Sequence, residues 1–402
     1  MEAKLEELIQ RWEQTFDRRE ELLAHKQNVQ ETLYAEGARY DLSKFDWHSF
    51  PADGPLQQDK SGLDSSALHE YGFNAKGLPC YTTFKHEHNK ILWEGVYVYG
   101  DTCVEYVEYC MNTGVPSIIS RMEFKDGKKV AYQSLRANGG GSGYGWLSKE
   151  DIIKTMRNDD HSFIINITDF EYDTAGKIQR ASSIRVFPGS GQYTSYDEYS
   201  YDDMQVLDTI RQFDDKGNNG LIYCRRPENI SPEQLSEELS EALAKQVVLT
   251  LEHNQIEQPV ALLELGYRLG VNYVPYLTCQ SVKQITGKLA KNEIVFFDTH
   301  YNESMNVSIR PFERLWAQME QLMEDYNYLD VGTTMIRKAA FLLTKNKLFG
   351  KFEVSDTFAA YAIDWSIEGH GDDEFEEILT ECGVDAACLT AWKQIGILPL
   401  SK

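Results

Sequence analysis

Four places in the chain carry residues that could do catalytic or ligand chemistry. His86-Glu87-His88 holds the one close histidine pair. On a strand both imidazoles would share a face and could begin a metal site. A third ligand would have to come from Cys80 or from a Glu on the next strand, so exposed strand histidines beside a turn explain the pair better. Asp298-Thr299-His300 closes the apolar run EIVFF, a place where α/β proteins often put polar site residues. No G-x-S-x-G nucleophile accompanies it, and a turn Asp with a solvent-facing His is the expectation. Asp364-Trp365 ends another apolar run, with Glu368 four residues beyond Asp364. One carboxylate of an acid–base pair needs a partner, and the pattern names none, so a buried structural Asp is expected. The run NGGGSGYG (138–145) lacks both the Lys-Ser/Thr of a P-loop and a strict G-x-G-x-x-G. A helix beginning near Ser148 is compatible with phosphate cradling, but a flexible connection between strands accounts for the glycines.

Two further segments suit binding rather than catalysis. In Gly371-Asp372-Asp373-Glu374-Phe375-Glu376-Glu377, five carboxylates flank one aromatic, a composition fitted to a basic partner with an apolar anchor. Acids in a first helical turn also complement the helix dipole, so a solvated helix start explains the run equally well. Between Gln192 and Asp203, Tyr193, Tyr196, Tyr199 and Tyr201 are interleaved with Asp197, Glu198, Asp202 and Asp203. Tyrosines offer rigid contact area at small entropic cost, yet alternating Tyr on a sheet also makes good cross-strand packing.

Charge favours binding of a basic protein. The net charge is −23, of which residues 1–60 carry −5, residues 61–225 carry −6 and residues 226–402 carry −12. Such a chain is repelled by nucleic acid and by anionic membranes and is steered towards basic proteins. No apolar run approaches the 18 residues of a membrane span. The opening MEAKLEELIQRWEQ is amphipathic and acidic, without the apolar region of a signal peptide. Seven widely spaced cysteines with no C-x-x-C pair predict reduced thiols in a cytoplasmic protein. Nothing in the pattern calls for a cofactor.

The elements that must position these residues divide the chain in three. Residues 1–70 predict a helical segment, with Leu5, Leu8, Ile9 and Trp12 on one face and one long helix or two short ones as far as about residue 35, then an irregular linker. Residues 71–225 predict an antiparallel meander. Ten alternating or apolar segments rich in Tyr, Val, Ile and Thr follow one another between 78 and 224, split by Gly, Asn and Asp turns. Four turns repeat one pattern of aromatic, Asx and Gly, at Phe73–Gly77, Phe124–Gly127, Tyr172–Gly176 and Phe213–Gly217. A sheet of this size is expected to curl or close to protect its edges. From Ser231-Pro232 the character changes. An N-cap with Pro at the first helical position opens a long helix, and residues 226–402 alternate helical and strand-like runs, giving an α+β fold overall.

The recurring turn resembles the YD-repeat hairpins of Rhs-type and teneurin-type proteins, although the 41 to 51 residues between successive aromatics exceed the closer spacing of those repeats. The resemblance implies related hairpin geometry and not an encapsulating shell. In the last ~170 residues, FAAYAIDWSIE (358–368), an acidic stretch and WKQIGIL (392–398) resemble a bacterial family often encoded among immunity genes beside polymorphic toxins. That resemblance supplies no catalytic residues and implies an intracellular neutralising role. The expectation is therefore a non-enzymatic immunity-like protein that binds a basic toxin or effector domain. An enzyme using Asp298/His300 or His86/His88, and a structural subunit docking through its sheet, are the alternatives.

Overall fold

In a computed structural model the chain divides into two compact units, one comprising Met1–Arg225 with Asp325–Asn327, the other Arg226–Glu324 with Tyr328–Lys402. The structure describes residues 2–36, 38–40, 42, 56–61, 63, 68–86, 91–137, 147–158, 162–187, 191–227, 230–268, 272–293, 295–296, 305–326, 329–346, 351–365 and 372–398.

The first unit opens with helices α1 (Glu2–Asp17) and α2 (Arg19–Leu23), a 3-10 turn (Ala24–Asn28) and strand β1 (Glu31–Glu36). Of the expected one long helix or two short ones, two form, and they end before residue 35. Thr32, Leu33 and Tyr34 pair instead with Gly72, Tyr71 and Glu70 of β2 (Leu68–Phe73), so tertiary pairing overrides the absence of Gly and Pro. The ten expected strands follow: β3 (Pro79–His86), β4 (Ile91–Tyr99), β5 (Cys103–Cys110), β6 (Pro116–Lys125) and β7 (Lys128–Ala137), then, after helix α3 (Lys149–Asn158), β8 (Phe163–Tyr172), β9 (Ile178–Phe187), β10 (Gly191–Tyr201), β11 (Leu207–Asp214) and β12 (Asn219–Cys224). Each pairs antiparallel with the next, giving one twelve-stranded meander in chain order.

The sheet is open, and the expectation of closure is corrected: β1 and β12 are its two ends and do not pair with each other. Both faces of the open sheet nevertheless carry a buried apolar cluster. On one face α1 and α3 lay Leu8, Trp12, Ile152 and Met156 against Val96, Val107, Ile119, Leu135, Ile165 and Ile167. The Trp12 indole N–H donates to the Pro116 carbonyl at 2.8 Å, and Arg11 meets Glu105 at 2.6 Å. Full burial of each such large side chain is worth roughly 1.5–3 kcal/mol, which fixes α1 far more firmly than its surface ion pairs. On the opposite face Ala35, Tyr40 and Leu42 join Tyr71, Tyr97, Met122, Tyr132, Phe170, Tyr199 and Ile210. At the β1 edge Tyr34 and Gln57 form a single bridge.

Three of the four recurring turns share one construction. In Asn74–Leu78, Asp173–Lys177 and Asp214–Asn218 the first N–H donates to the carbonyl four residues on, at 2.8–2.9 Å, and the first side chain accepts from that same residue's N–H. The fourth residue is a Gly at positive φ: Gly77, Gly176 and Gly217. The copy at Phe124–Gly127 is tighter. Lys125 faces Lys128 directly, and Asp126 and Gly127 both take positive φ, as a two-residue hairpin demands. The chain carries another member of the first kind where sequence reading saw none, at Asp202–Val206.

The second unit begins with α4 (Pro232–His253), whose N-terminus is closed by a capping box between Ser231 and Gln234. A four-stranded sheet follows in the order β15 (Met305–Asn306), β14 (Asn272–Ser281), β13 (Val260–Arg268) and β16 (Val354–Asp364), with β13 and β16 parallel. The crossover between them passes through α5 (Val282–Ala290), α6 (Glu313–Tyr326) and α7 (Leu329–Asn346). Val295 and Phe296, expected in a strand, lie in a bend and are buried. Two short helices, α8 (Asp372–Glu381) and α9 (Ala386–Gln394), bring Phe375 and Trp392 to Phe296.

Candidate functional site

Period-two geometry sorts the interleaved Tyr and acid residues of β10 onto two faces. Asp197 and Tyr199 point to the side of Tyr71 and Ile210 and are buried, so neither stands at the surface as a contact residue. Asp197 lies between Ala181 of β9 and Gln212 of β11, and the Gln212 amide donates to it at 3.1 Å. Burial pushes its carboxyl from the ordinary 3.8 up to about 6, with the Gln212 bond opposing. On the other face the Tyr196 ring stacks on Phe213 at 4.8 Å and receives the Arg180 guanidinium at 3.7 Å. Glu198 stands in register between Arg180 and Arg211, and Arg180 in register with Glu171, so four strands carry alternating charges in a row. That row makes Glu198 a cross-strand neighbour of two cations, although it is exposed.

The end of β10 is different. Asp202 is occupied: it accepts from the Val206 N–H at 2.8 Å and pairs with Arg225 at 2.6 Å, and these bonds hold its carboxyl below the usual range. Asp203 is exposed beside Met204, which is 81% exposed, and Val206, 47% exposed. Tyr193, at the start of the strand, is 56% exposed, its ring edge-on to Phe187.

In α8 the expected apolar anchor is turned inward. Phe375 is buried against Phe296 and Tyr361, because Phe375, Ile378, Leu379 and Cys382 form one helical stripe facing the sheet. Glu376 pairs with Lys393 at 2.6 Å, whereas Glu374 and Glu377 are exposed. Asp372 and Asp373 begin the helix, and their side chains lie outside the described residues. Also outside are His88, the Gly-rich run 138–145, Asp298, His300, Glu368 and the side chain of His86; the His86 backbone pairs with Ile91 at the end of β3. Asp364 is fully buried, in register with Tyr267. Among the described residues no three His, Cys, Asp or Glu gather as a metal site would require. Burial pushes the Cys279 thiol up to about 12 and the Cys388 thiol up to about 11, which makes both poor nucleophiles at neutral pH.

One polar cluster escaped sequence reading. Glu264, central in β13 and 4% exposed, accepts from the Tyr361 hydroxyl at 2.5 Å and from the Trp365 indole N–H at 2.8 Å. Burial raises its carboxyl, and the two donors and the Lys288 charge oppose. Trp365 stacks on Tyr276 and crosses directly over Gly266, where a Cβ would stand about 2.0 Å from the ring. Both carboxyl oxygens are thus spent on clasping β16 and the residue after it to β13. The signal available in the sequence was a single charge inside the otherwise apolar run VALLELGY.

Comparison with protein-family models and with curated proteins gives no match to this chain. Among the described residues no helix is long and apolar enough to cross a membrane.

Proposed function

We propose that the chain is a non-enzymatic binding protein, an immunity-like neutraliser of a basic toxin or effector domain in the cytoplasm. The observation that carries this reading is the net charge of −23, with −12 beyond residue 225. Exposed carboxylates at Glu374 and Glu377 in the second unit, and at Asp203 in the first, supply local acidic contact points. A field of this sign raises the rate of encounter with a cationic partner, and the acid–base pairs buried on docking then slow release. Neutralisation would follow from covering the partner's cationic cleft with these carboxylates. The resemblance of residues 358–398 to a family encoded among immunity genes supports the same direction.

The test is a pull-down with the tagged full chain from lysate of the native host, run at low and at high salt and read by mass spectrometry. A stoichiometric basic protein that is retained at low salt and depleted at high salt is the expected result. Recovery of no protein at either salt would overturn the reading.

A further inference from the structure

The turn at Asp202–Val206 departs from the three built like it in two ways. Its left-handed position holds Gln205, at φ +60, where the others hold Gly77, Gly176 and Gly217. A side chain there is strained, because the left-handed backbone brings Cβ close to the following carbonyl oxygen. Its two tip residues are Asp203 and Met204, where the other turns present Ala75-Lys76, Thr174-Ala175 and Asp215-Lys216. Met204, at 81%, is the most exposed large hydrophobic side chain among the described residues, and Val206 beside it is 47% exposed. The loop is nevertheless firmly built. Asp202 accepts from the Val206 N–H at 2.8 Å, the Gln205 N–H donates back to the Asp202 carbonyl at 2.9 Å, and Arg225, the residue after β12, braces Asp202. Strained residues held by surrounding bonds, as Gln205 is, cluster at active sites and ligand clamps, and the neighbouring Met204 displays its apolar side chain to solvent.

We propose that this tip is the point at which the basic partner docks, with Met204 as its apolar plug and Asp203 beside it meeting a cationic rim; the assignment rests on the binding role proposed above. An unbranched, polarisable thioether adapts to an irregular pocket better than a branched side chain. Contact energy concentrates where an apolar anchor is ringed by polar groups. The occupant is a basic protein rather than a second copy of this chain, because two chains of −23 repel each other. Pre-formation of the loop lowers the ordering cost of binding.

The experiment uses the full chain with a photo-crosslinking amino acid at position 204 and, as control, at the exposed Leu249 of α4. The probe is host lysate at low salt, and Met204→Ser is run in parallel for capture. A basic protein that crosslinks from 204 and not from 249, with capture weakened about tenfold or more by Met204→Ser, is the expected result. A basic protein captured equally by parent and variant, with no crosslink from 204, would overturn the tip assignment and leave the binding role standing. Capture of no basic protein would overturn both. A crosslink from 204 to a second copy of the chain would overturn the choice of occupant.

Discussion

Replacing Asp197 by Asn should stabilise the first unit at neutral pH and leave it nearly unchanged in acid. The carboxyl is 4% exposed between Ala181 and Gln212 and its pKa stands at about 6, against an ordinary value of 3.8. A folded pKa above the unfolded one means that the folded chain holds the proton more tightly between pH 3.8 and 6. The contribution is therefore fully present below pH ~3.8 and is lost as pH rises through ~6. A difference of about two pKa units at 1.36 kcal/mol each makes the ionised Asp197 cost the fold about 3 kcal/mol above pH 7. Gln212 is exposed, so water reaches the edge of the site and ~1–3 kcal/mol is the range to expect. In Asp197→Asn the amide oxygen still accepts from Gln212 and no charge is left to desolvate. Urea unfolding of parent and variant at unit intervals from pH 4 to 8, followed by the β-sheet circular dichroism signal, reads the difference directly. The variant's advantage should be near zero at pH 4 and grow to its full value by pH 8. An advantage that is the same at every pH, or a variant weaker at pH 8 than the parent, would refute the reasoning.

Other changes test separate parts of the structure. Gln205→Gly relieves the left-handed strain of roughly 1–2 kcal/mol against an added unfolded-state entropy of about 0.4–1 kcal/mol, so the urea midpoint should rise slightly; a fall would show that Gln205 is not strained. Glu264→Ala leaves the Tyr361 hydroxyl and the Trp365 N–H without their acceptor, at about 1–3 kcal/mol each. Glu264→Gln keeps an acceptor and should cost clearly less in the same denaturation assay, so equal losses would contradict the clasp. Gly266→Ala drives a Cβ into the Trp365 ring and should cost about 1–3 kcal/mol or more, with a change in Trp fluorescence, whereas a neutral result would refute the close approach.

Much of the meander was legible because local signals agreed. From β3 to β12, alternation and Asx or Gly turns point to the same strands, and each strand pairs with its sequence neighbour. Strand β1 was not legible, and β2 was legible only at its Phe73 end, where the turn pattern begins. The first continues a Gly-free helical run and is a strand because it pairs with β2, while β2 follows a polar stretch and is held between β1 and β3. Surface assignments fared unevenly for a related reason. Alternation in β10 separates Asp197 from Glu198, but which face is covered depends on residues far away, at Tyr40, Tyr71 and Tyr97. In α8 the spacing Phe375, Ile378, Leu379, Cys382 did carry the answer, and the flanking acids drew attention from it. The turn at 202–206 was hidden because Gln205 stands where the pattern asks for Gly.

Electrostatic capture of a basic protein is measured most directly as an association rate. Stopped-flow mixing of the full chain with the partner recovered in the pull-down, over a series of salt concentrations, separates steering from contact. Electrostatic steering predicts an association rate that falls about tenfold or more as salt rises from ~10 to ~150 mM, while dissociation changes far less. An association rate that is flat across the same series would contradict it.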